Sequence, residues 1–121
     1  MAVSIEELIN KKDEIQKRKK QKYDLETSIG TITIEIPTRS LLLEARKLEV
    51  EESDCYLLYN IVVAPNLADK KLQEAFGCGE PTDIVKALFL PGEPPAISNK
   101  VMEIAGFGTD IKSQVHAELK N

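Results

Sequence analysis

The pattern of apolar and polar positions changes twice along this chain. Residues 1–22 begin with a few apolar side chains at helical spacing and end in the run KRKKQK, which has nothing to bury. From Tyr23 to Ile36 apolar and polar side chains alternate, which is the period of a half-buried β-strand. From Thr38 onward the apolar positions recur every three or four residues, as in amphipathic helices. Strands that precede helices, without alternating β and α segments, predict an α+β fold.

The first segment carries the signals of a helix start. Ser4 is a suitable N-cap, and Glu7 three residues later completes a capping box. The apolar stripe that follows is thin, and its members are Ile5, Leu8, Ile9 and Ile15. We therefore predict a helical arm over residues 1–22 that is well formed in its first turns and solvated beyond them.

A β-hairpin is predicted next. Its turn is placed around Ser28, Ile29 and Gly30, because apolar alternation runs into this triplet from both sides. The second strand has the stronger pattern, and Pro37 ends it because proline cannot donate a ladder hydrogen bond. The apolar positions of that strand are Ile32, Ile34 and Ile36.

Five short helices are predicted after the hairpin. The first follows a cap at Thr38 or Ser40, with a stripe formed by Leu41, Leu42, Ala45 and Leu48. For the second, Ser53 is the predicted cap, and the helical stripe is Cys55, Leu58, Tyr59 and Val62.

The other three helices are bounded by glycine and proline. One runs from about Ala68 to Phe76, where Gly77 ends it; its inward positions are predicted as Leu72, Ala75 and Phe76, with Leu67 as an anchor. The next begins at Pro81 or Thr82 and presents Ile84, Val85, Leu88 and Phe89. The last follows the double proline of LPGEPP and stops at Gly106 and Gly108.

The chain of 121 residues is long enough for one domain with a modest core. We divide it into the basic arm 1–22, a body of hairpin and helices over 23–108, and a polar tail over 109–121 that is either a weak helix or an irregular segment. Its 42% hydrophobic and 30% charged residues are those of an ordinary globular protein. The longest apolar run, YLLYNIVVA, has nine residues against the roughly 20 that a membrane span needs, and no signal-peptide core is visible. We expect a cytoplasmic protein without membrane contact.

Charge is unevenly distributed. Residues 1–22 hold seven basic and four acidic side chains, a net charge of 7 − 4 = +3, and the remainder therefore carries −7 of the total of −4. A basic arm ahead of an acidic body is compatible with nucleic-acid binding as an alternative function. The arm, however, lacks aromatic residues and a recognition-helix pattern, so a solvated or partner-binding arm is the preferred interpretation.

Candidate catalytic chemistry is weak throughout. His116 is the single histidine and lies in the polar tail, and Cys55 falls on an apolar stripe. The charged residues near Cys78 in sequence are all acidic, and negative charges oppose thiolate formation. Two cysteines and one histidine do not supply the four ligands of a structural zinc site. We expect free thiols, no metal or cofactor, and a non-catalytic binding protein.

Three blocks resemble the XkdN-like tail assembly chaperones of tailed phages and prophage elements. They are SIEELINKKDEI with the lysine-rich run after it, TIEIPTRSLLLEARKLE, and the long block from DCYLLYNIVVAPNL through LQEAFGC, EPTDIV and LFLPGE to AGFG. The resemblance implies a non-catalytic protein that binds the long tape measure protein during tail assembly, acts in the host cytoplasm and is absent from the finished virion. It also implies the tail tube protein and a longer, frameshifted form of the chain itself as possible partners, and self-association stays open.

The candidate partner-binding residues lie in two places. One is the sparse apolar face of the arm, Ile5, Leu8, Ile9 and Ile15, and the other is an edge of the hairpin at Ile32, Ile34 and Ile36. The alternative for both sets is packing against the protein's own helices.

Overall fold

A computed structural model describes residues 1–117 of the chain. The arm contains α1 (Ile5–Asn10) and α2 (Lys12–Arg18). The sheet contains β1 (Lys22–Thr27), β2 (Gly30–Glu35) and β3 (Val62–Ala64). The helices of the body are α3 (Arg39–Arg46), α4 (Val50–Ile61), α5 (Lys70–Ala75), α6 (Asp83–Leu88) and α7 (Glu93–Ile104). The α+β class and the five helices after the hairpin are confirmed.

The sheet is antiparallel and has the order β1-β2-β3, so β2 is its central strand. The register of the hairpin pairs Thr27 with Gly30 across a two-residue turn, which confirms the predicted turn position. Gly30 has a φ of 116°, a conformation that only glycine adopts without strain. The third strand was not predicted.

That third strand explains one error of the helical pattern. Val62 was assigned to the stripe of α4, but the helix ends at Ile61 and Val62 pairs with Ile34 of β2. A β-branched residue beside an open strand edge gains ladder hydrogen bonds and cross-strand packing, and this tertiary gain exceeds the local helical preference.

Helix α4 is the centre of the body. It packs against α3, α6 and α7, and its buried residues are Cys55, Leu57, Leu58 and Ile61. The core that it shares with the sheet and the other helices also contains Ile32, Ile34, Leu42, Val62, Leu67, Ile84, Val85, Phe89, Ile97 and Val101. The predicted inward face of α6 is confirmed, and Leu67 is buried as the predicted anchor.

Several helix boundaries differ from the prediction. Helix α4 begins at Val50, one turn early, so Ser53 lies inside it and is not the cap; Glu51 and Glu52 in its first turn suit the positive end of the helix dipole. Helix α7 begins at Glu93 and includes the double proline in its first turn, where a missing N–H costs no hydrogen bond. Thr38 is confirmed as the cap of α3, since its hydroxyl accepts a hydrogen bond from the Leu41 N–H at 3.1 Å.

The corner after α5 is a helix-to-helix connection. Gly77 has a φ of 63°, and the Cys78 N–H donates to the Gln73 carbonyl at 3.1 Å, as in a Schellman motif. Asp83 accepts hydrogen bonds from the Gly79 and Glu80 N–H groups at 3.1 and 2.9 Å, which orders the approach to α6. The prediction that Ala75 and Phe76 point inward is wrong: both are exposed, because Leu67 and Leu72 occupy the core side of this corner.

Glu93 joins the hairpin turn to the start of α7. Its carboxylate accepts hydrogen bonds from the Ser28 hydroxyl, from the Ser28 N–H at 2.9 Å and from the Leu90 N–H at 2.9 Å. The hydrogen bonds from Ser28, followed by that from Leu90, lower the pKa of Glu93. The two hydrogen bonds from Ser28 connect segments that are 65 residues apart in sequence, and the one from Leu90 orders the start of α7.

We expect Glu93→Gln to lower the melting temperature at pH 7, because the amide cannot accept all three hydrogen bonds. A carboxylate whose pKa is lowered on folding stabilises the fold above its unfolded pKa, about 4.3, and this contribution disappears as the pH falls through the folded pKa. The difference in melting temperature between wild type and variant should therefore shrink below about pH 4. Glu103→Gln is the matched control, since Glu103 lies exposed on the same helix with only Lys100 at 3.8 Å. A pH-independent difference for Glu93→Gln would contradict this account.

The arm consists of two helices and not of one. Ser4 caps α1 as predicted, since its hydroxyl oxygen accepts a hydrogen bond from the Glu7 N–H at 3.1 Å. The helix is interrupted at Lys11, whose φ and ψ are −96° and 9°. Asn10 is a poor helix former and marks this break. Neither α1 nor α2 buries a residue.

Residues 109–117 follow α7 without regular structure and are exposed. His116 is among them. The last four residues of the predicted tail, 118–121, lie outside the described residues.

Candidate partner-binding surfaces

The apolar side of the arm is exposed. The exposed fractions of Ile5, Leu8 and Ile9 are 76%, 46% and 65%, and Ile15 on α2 is half-buried. A short helix in water gains little stability by itself, and tertiary packing of an apolar face normally stabilises it. Three large aliphatic side chains exposed on one short helix are therefore a candidate surface for a partner.

The hairpin residues of the predicted site divide into two groups. Ile32 and Ile34 are 1% and 0% exposed and belong to the core. The predicted open edge at these residues is wrong, because β3 pairs with the far side of β2 and makes β2 the central strand. Ile36 lies just after β2 and is half-buried. Of the three isoleucines, Ile36 alone contributes to the molecular surface.

Ile36 lines a groove that sequence reasoning missed. The groove has a volume of about 620 Å³ and lies between the end of the arm, helix α3 and the turn after α7. Its apolar residues include Ile36, Leu43 and Phe107, of which Leu43 and Phe107 are 48% and 44% exposed. We call this concavity the α3 groove.

The rim of the α3 groove is basic. Lys19, Arg39 and Arg46 line it, and among residues 1–117 no acidic side chain does. The Arg46 guanidinium carbon lies 5.9 Å from the centre of the Phe107 ring, within the range of a cation–π contact. A basic rim around an apolar floor is unusual on a body that is acidic overall, and it suits an apolar segment with negative charges beside it.

One sequence signal could have indicated this groove. Leu43 falls outside the apolar stripe of α3, whose buried members are Leu42 and Ala45, and Phe107 follows the last helix between two glycines. Large apolar residues off the stripe are candidates for a surface site. Their proximity depends on the packing of α3 beside the end of α7, which the sequence pattern does not contain.

The two cysteines are not paired with each other. Both are free thiols; Cys55 is buried, and its burial, with the charges of nearby acids, raises its pKa although Lys86 opposes this effect. A raised thiol pKa lowers the thiolate fraction at neutral pH, so Cys55 acts as a core residue.

Within residues 1–117, no group of three or more histidine, cysteine or acidic side chains is placed to hold a metal ion. In the same part of the chain, no helix has both the length and the apolar character that a bilayer crossing requires.

Comparison with known proteins agrees with the fold. A crystal structure of the protein YqbN, from a structural genomics programme, superposes with a TM-score of 0.56 and 21% sequence identity, over 72% of this chain and 87% of that chain. At this identity the similarity shows a shared fold. No curated protein matches the sequence. The model of the phage XkdN-like tail assembly chaperone proteins, by contrast, matches residues 3–120, almost the full length. The chain belongs to the XkdN-like family of phage tail assembly chaperones.

Proposed function

We propose that this chaperone binds the phage tape measure protein through the apolar face of its arm and keeps that protein soluble in the host cytoplasm until the tail is assembled. The observation that carries the proposal is the exposure of Ile5, Leu8 and Ile9 on a capped helix that buries no residue. The family resemblance implies a tape measure chain that is long, apolar and helix-rich, and exposed apolar surface on such a chain promotes aggregation unless it is covered. An amphipathic helix presented on an arm can contact such a chain without opening the body of the chaperone.

The arm suits repeated binding along an extended partner. It is joined to the body at one end, and the core does not depend on it, since all fully buried side chains lie between Ile32 and Val101. Removing apolar side chains from the arm should therefore change binding and leave stability intact. This separation makes the proposal testable with substitutions.

We expect the triple variant Ile5→Asp, Leu8→Asp, Ile9→Asp to lose the tape measure protein. The measurement is co-expression with the tape measure protein of the same phage, followed by its soluble fraction and its co-purification with the tagged chaperone. Three carboxylates on the contact face cannot be buried without a large desolvation penalty, so the soluble fraction should fall at least about tenfold. The melting temperature should stay within a few degrees of wild type.

The matched control carries the same three charges at exposed apolar positions of the body, namely Ile29→Asp, Phe76→Asp and Leu90→Asp, which are 45%, 48% and 61% exposed. This control should retain binding. If the wild-type chain neither co-purifies with the tape measure protein nor changes its solubility, the proposed function is wrong. If the wild type binds and both variants bind equally, the function stands and its assignment to the arm fails.

Nucleic-acid binding is a second candidate because of one observation. All seven basic side chains between Lys11 and Lys22 are exposed. Binding of this kind should weaken steeply with salt and disappear when residues 1–22 are removed. No retention on DNA or RNA at low salt would eliminate nucleic-acid binding.

The tail tube protein and a longer form of the chain are further proposed partners. Co-purification with the tagged chaperone, as for the tape measure protein, would detect them.

A further inference from the structure

The apolar face of α1 and the α3 groove are complementary surfaces on one chain. We propose that α1 of one copy docks into the α3 groove of a second copy when no other partner is present. The inference concerns the purified chain alone and does not depend on the proposed function. Its basis is the match of hydrophobicity and charge between two surfaces that the single chain leaves uncovered.

The charge match becomes visible when the arm is divided. Its basic residues all follow Asn10, whereas residues 1–10 contain Glu6 and Glu7 and no basic side chain, a side-chain charge of 0 − 2 = −2. Both glutamates lie in the first turn of α1 and are exposed. At about 100° per residue, Glu6 flanks the apolar face, whereas Glu7 lies on the opposite side of the helix and adds negative charge at a longer distance. The groove offers Lys19, Arg39 and Arg46 around its apolar floor. The negative charge of α1, with Glu6 nearest to the apolar anchors, would thus meet basic groups next to an apolar groove.

The apolar match is of similar quality. Ile5, Leu8 and Ile9 have the i, i+3, i+4 spacing of a helix that lies in a groove. The groove presents Leu43 and Phe107, which are about half exposed, together with the half-buried Ile36. Burial of these side chains against one another removes apolar surface from water on both copies, which favours association.

The second copy is the favoured occupant for a geometric reason. Lys19 is both the end of the arm and part of the groove rim, and α2 carries α1 away from that rim over seven residues, about 10 Å. In this conformation α1 remains exposed although its own groove is open. Because each arm starts beside its own groove, two facing copies place each α1 near the groove of the other, and the exchange is reciprocal.

The test measures molar mass by light scattering and sedimentation as a function of concentration. We expect the wild-type chain to form a larger species whose dissociation constant rises with salt, since the contact includes exposed charges. Leu43→Asp should raise this constant at least about tenfold. Leu90→Asp, at another exposed leucine, is the matched control and should leave it unchanged. A wild-type chain that stays monomeric at about millimolar concentration overturns the proposal.

A charge exchange identifies which surfaces meet. The variant Glu6→Lys, Glu7→Lys should be monomeric, and so should Arg39→Glu, Arg46→Glu, because each pairs like charges. Mixing the two variants should restore the larger species, since a basic α1 then faces an acidic groove and an acidic α1 faces a basic one. Restoration also shows that both variants are folded, and circular dichroism of each checks this independently.

Other outcomes overturn the proposal. If the mixture stays monomeric while both variants are folded, the two surfaces do not bind each other. A single chain can also carry all four substitutions, Glu6→Lys, Glu7→Lys, Arg39→Glu and Arg46→Glu. If this chain is monomeric and its α1 amide protons are protected from exchange, α1 docks into the groove of its own copy. If Leu43→Asp leaves the mass of the wild-type assembly unchanged, the copies associate through another surface.

Discussion

Replacing Ile34 by aspartate is expected to prevent folding altogether. Ile34 is 0% exposed and lies in the central strand, where its neighbours across the sheet are Tyr23 on β1 and Val62 on β3. Removal of the aliphatic side chain alone costs about 2–5 kcal/mol, and a buried carboxyl without a partner costs several kcal/mol more, whether it stays charged or takes up a proton. The sum is comparable to the entire stability of a typical domain, about 5–15 kcal/mol.

The measurement is circular dichroism with thermal unfolding. Ile34→Asp should give the circular dichroism spectrum of an unfolded chain at 25 °C and no cooperative transition on heating. We also expect it to accumulate as insoluble protein. Ile5→Asp is the matched control, since Ile5 is 76% exposed in α1, and its melting temperature should equal that of wild type within a few degrees. A folded Ile34→Asp variant with normal stability would mean that β2 is not the buried central strand. Ile32 and Ile34 would then again be candidates for partner binding.

Replacing Leu58 by alanine is expected to produce the second largest effect. Leu58 is 0% exposed near the middle of α4, the helix that contacts α3, α6 and α7. Alanine is the best helix former, so the substitution leaves the helix intact and its cost comes from the lost apolar burial and the cavity left behind. That cost is about 3–5 kcal/mol for a fully buried leucine, which corresponds to a decrease in melting temperature of roughly 10–20 °C for a chain of this size.

Leu90→Ala provides the comparison with the same chemical change at a surface position. Leu90 is 61% exposed, so its truncation should alter the free energy of unfolding by no more than about 0.5 kcal/mol. Urea titrations of both variants measure the difference, with the slope of each transition as a check on two-state unfolding. Equal effects of the two substitutions would contradict the position of Leu58 in the core.

These expectations place stability and partner binding in different parts of the chain. The core lies in the body, and the arm buries no residue, so arm variants can be compared at unchanged stability. The two uses proposed for α1, binding of the tape measure protein and docking to a second copy, involve the same side chains. A copy whose α1 is docked is therefore unable to offer that face to another partner, and the competing contacts cover the apolar surface in either state.

Local chemistry was sufficient for much of the fold. The Ser4 and Thr38 caps, the turn before Gly30 and the helix stop at Gly77 each depend on one or two residues, and all are confirmed in the structure. The family resemblance was also visible from the sequence alone, since it depends on the amino-acid sequences of segments such as LQEAFGC and EPTDIV and not on their packing. Boundaries were less predictable, because Ser53 and the double proline allow more than one helix start.

The sequence by itself determined the α+β class, the positions of most helices and the apolar stripe of the arm, because these follow from the periodicity of neighbouring residues. That Ile5, Leu8 and Ile9 of this stripe are exposed was decided by the tertiary structure, since packing against the protein's own helices was the alternative. The tertiary structure decided that Val62 leaves a helix to pair with Ile34, that Ile32 and Ile34 are core and not surface, and that Leu43, Arg46 and Phe107 meet in one groove. Each of these outcomes depends on contacts between segments far apart in the chain. Side chains that gain or lose solvent contact only when distant elements pack leave no periodic signal in their own neighbourhood.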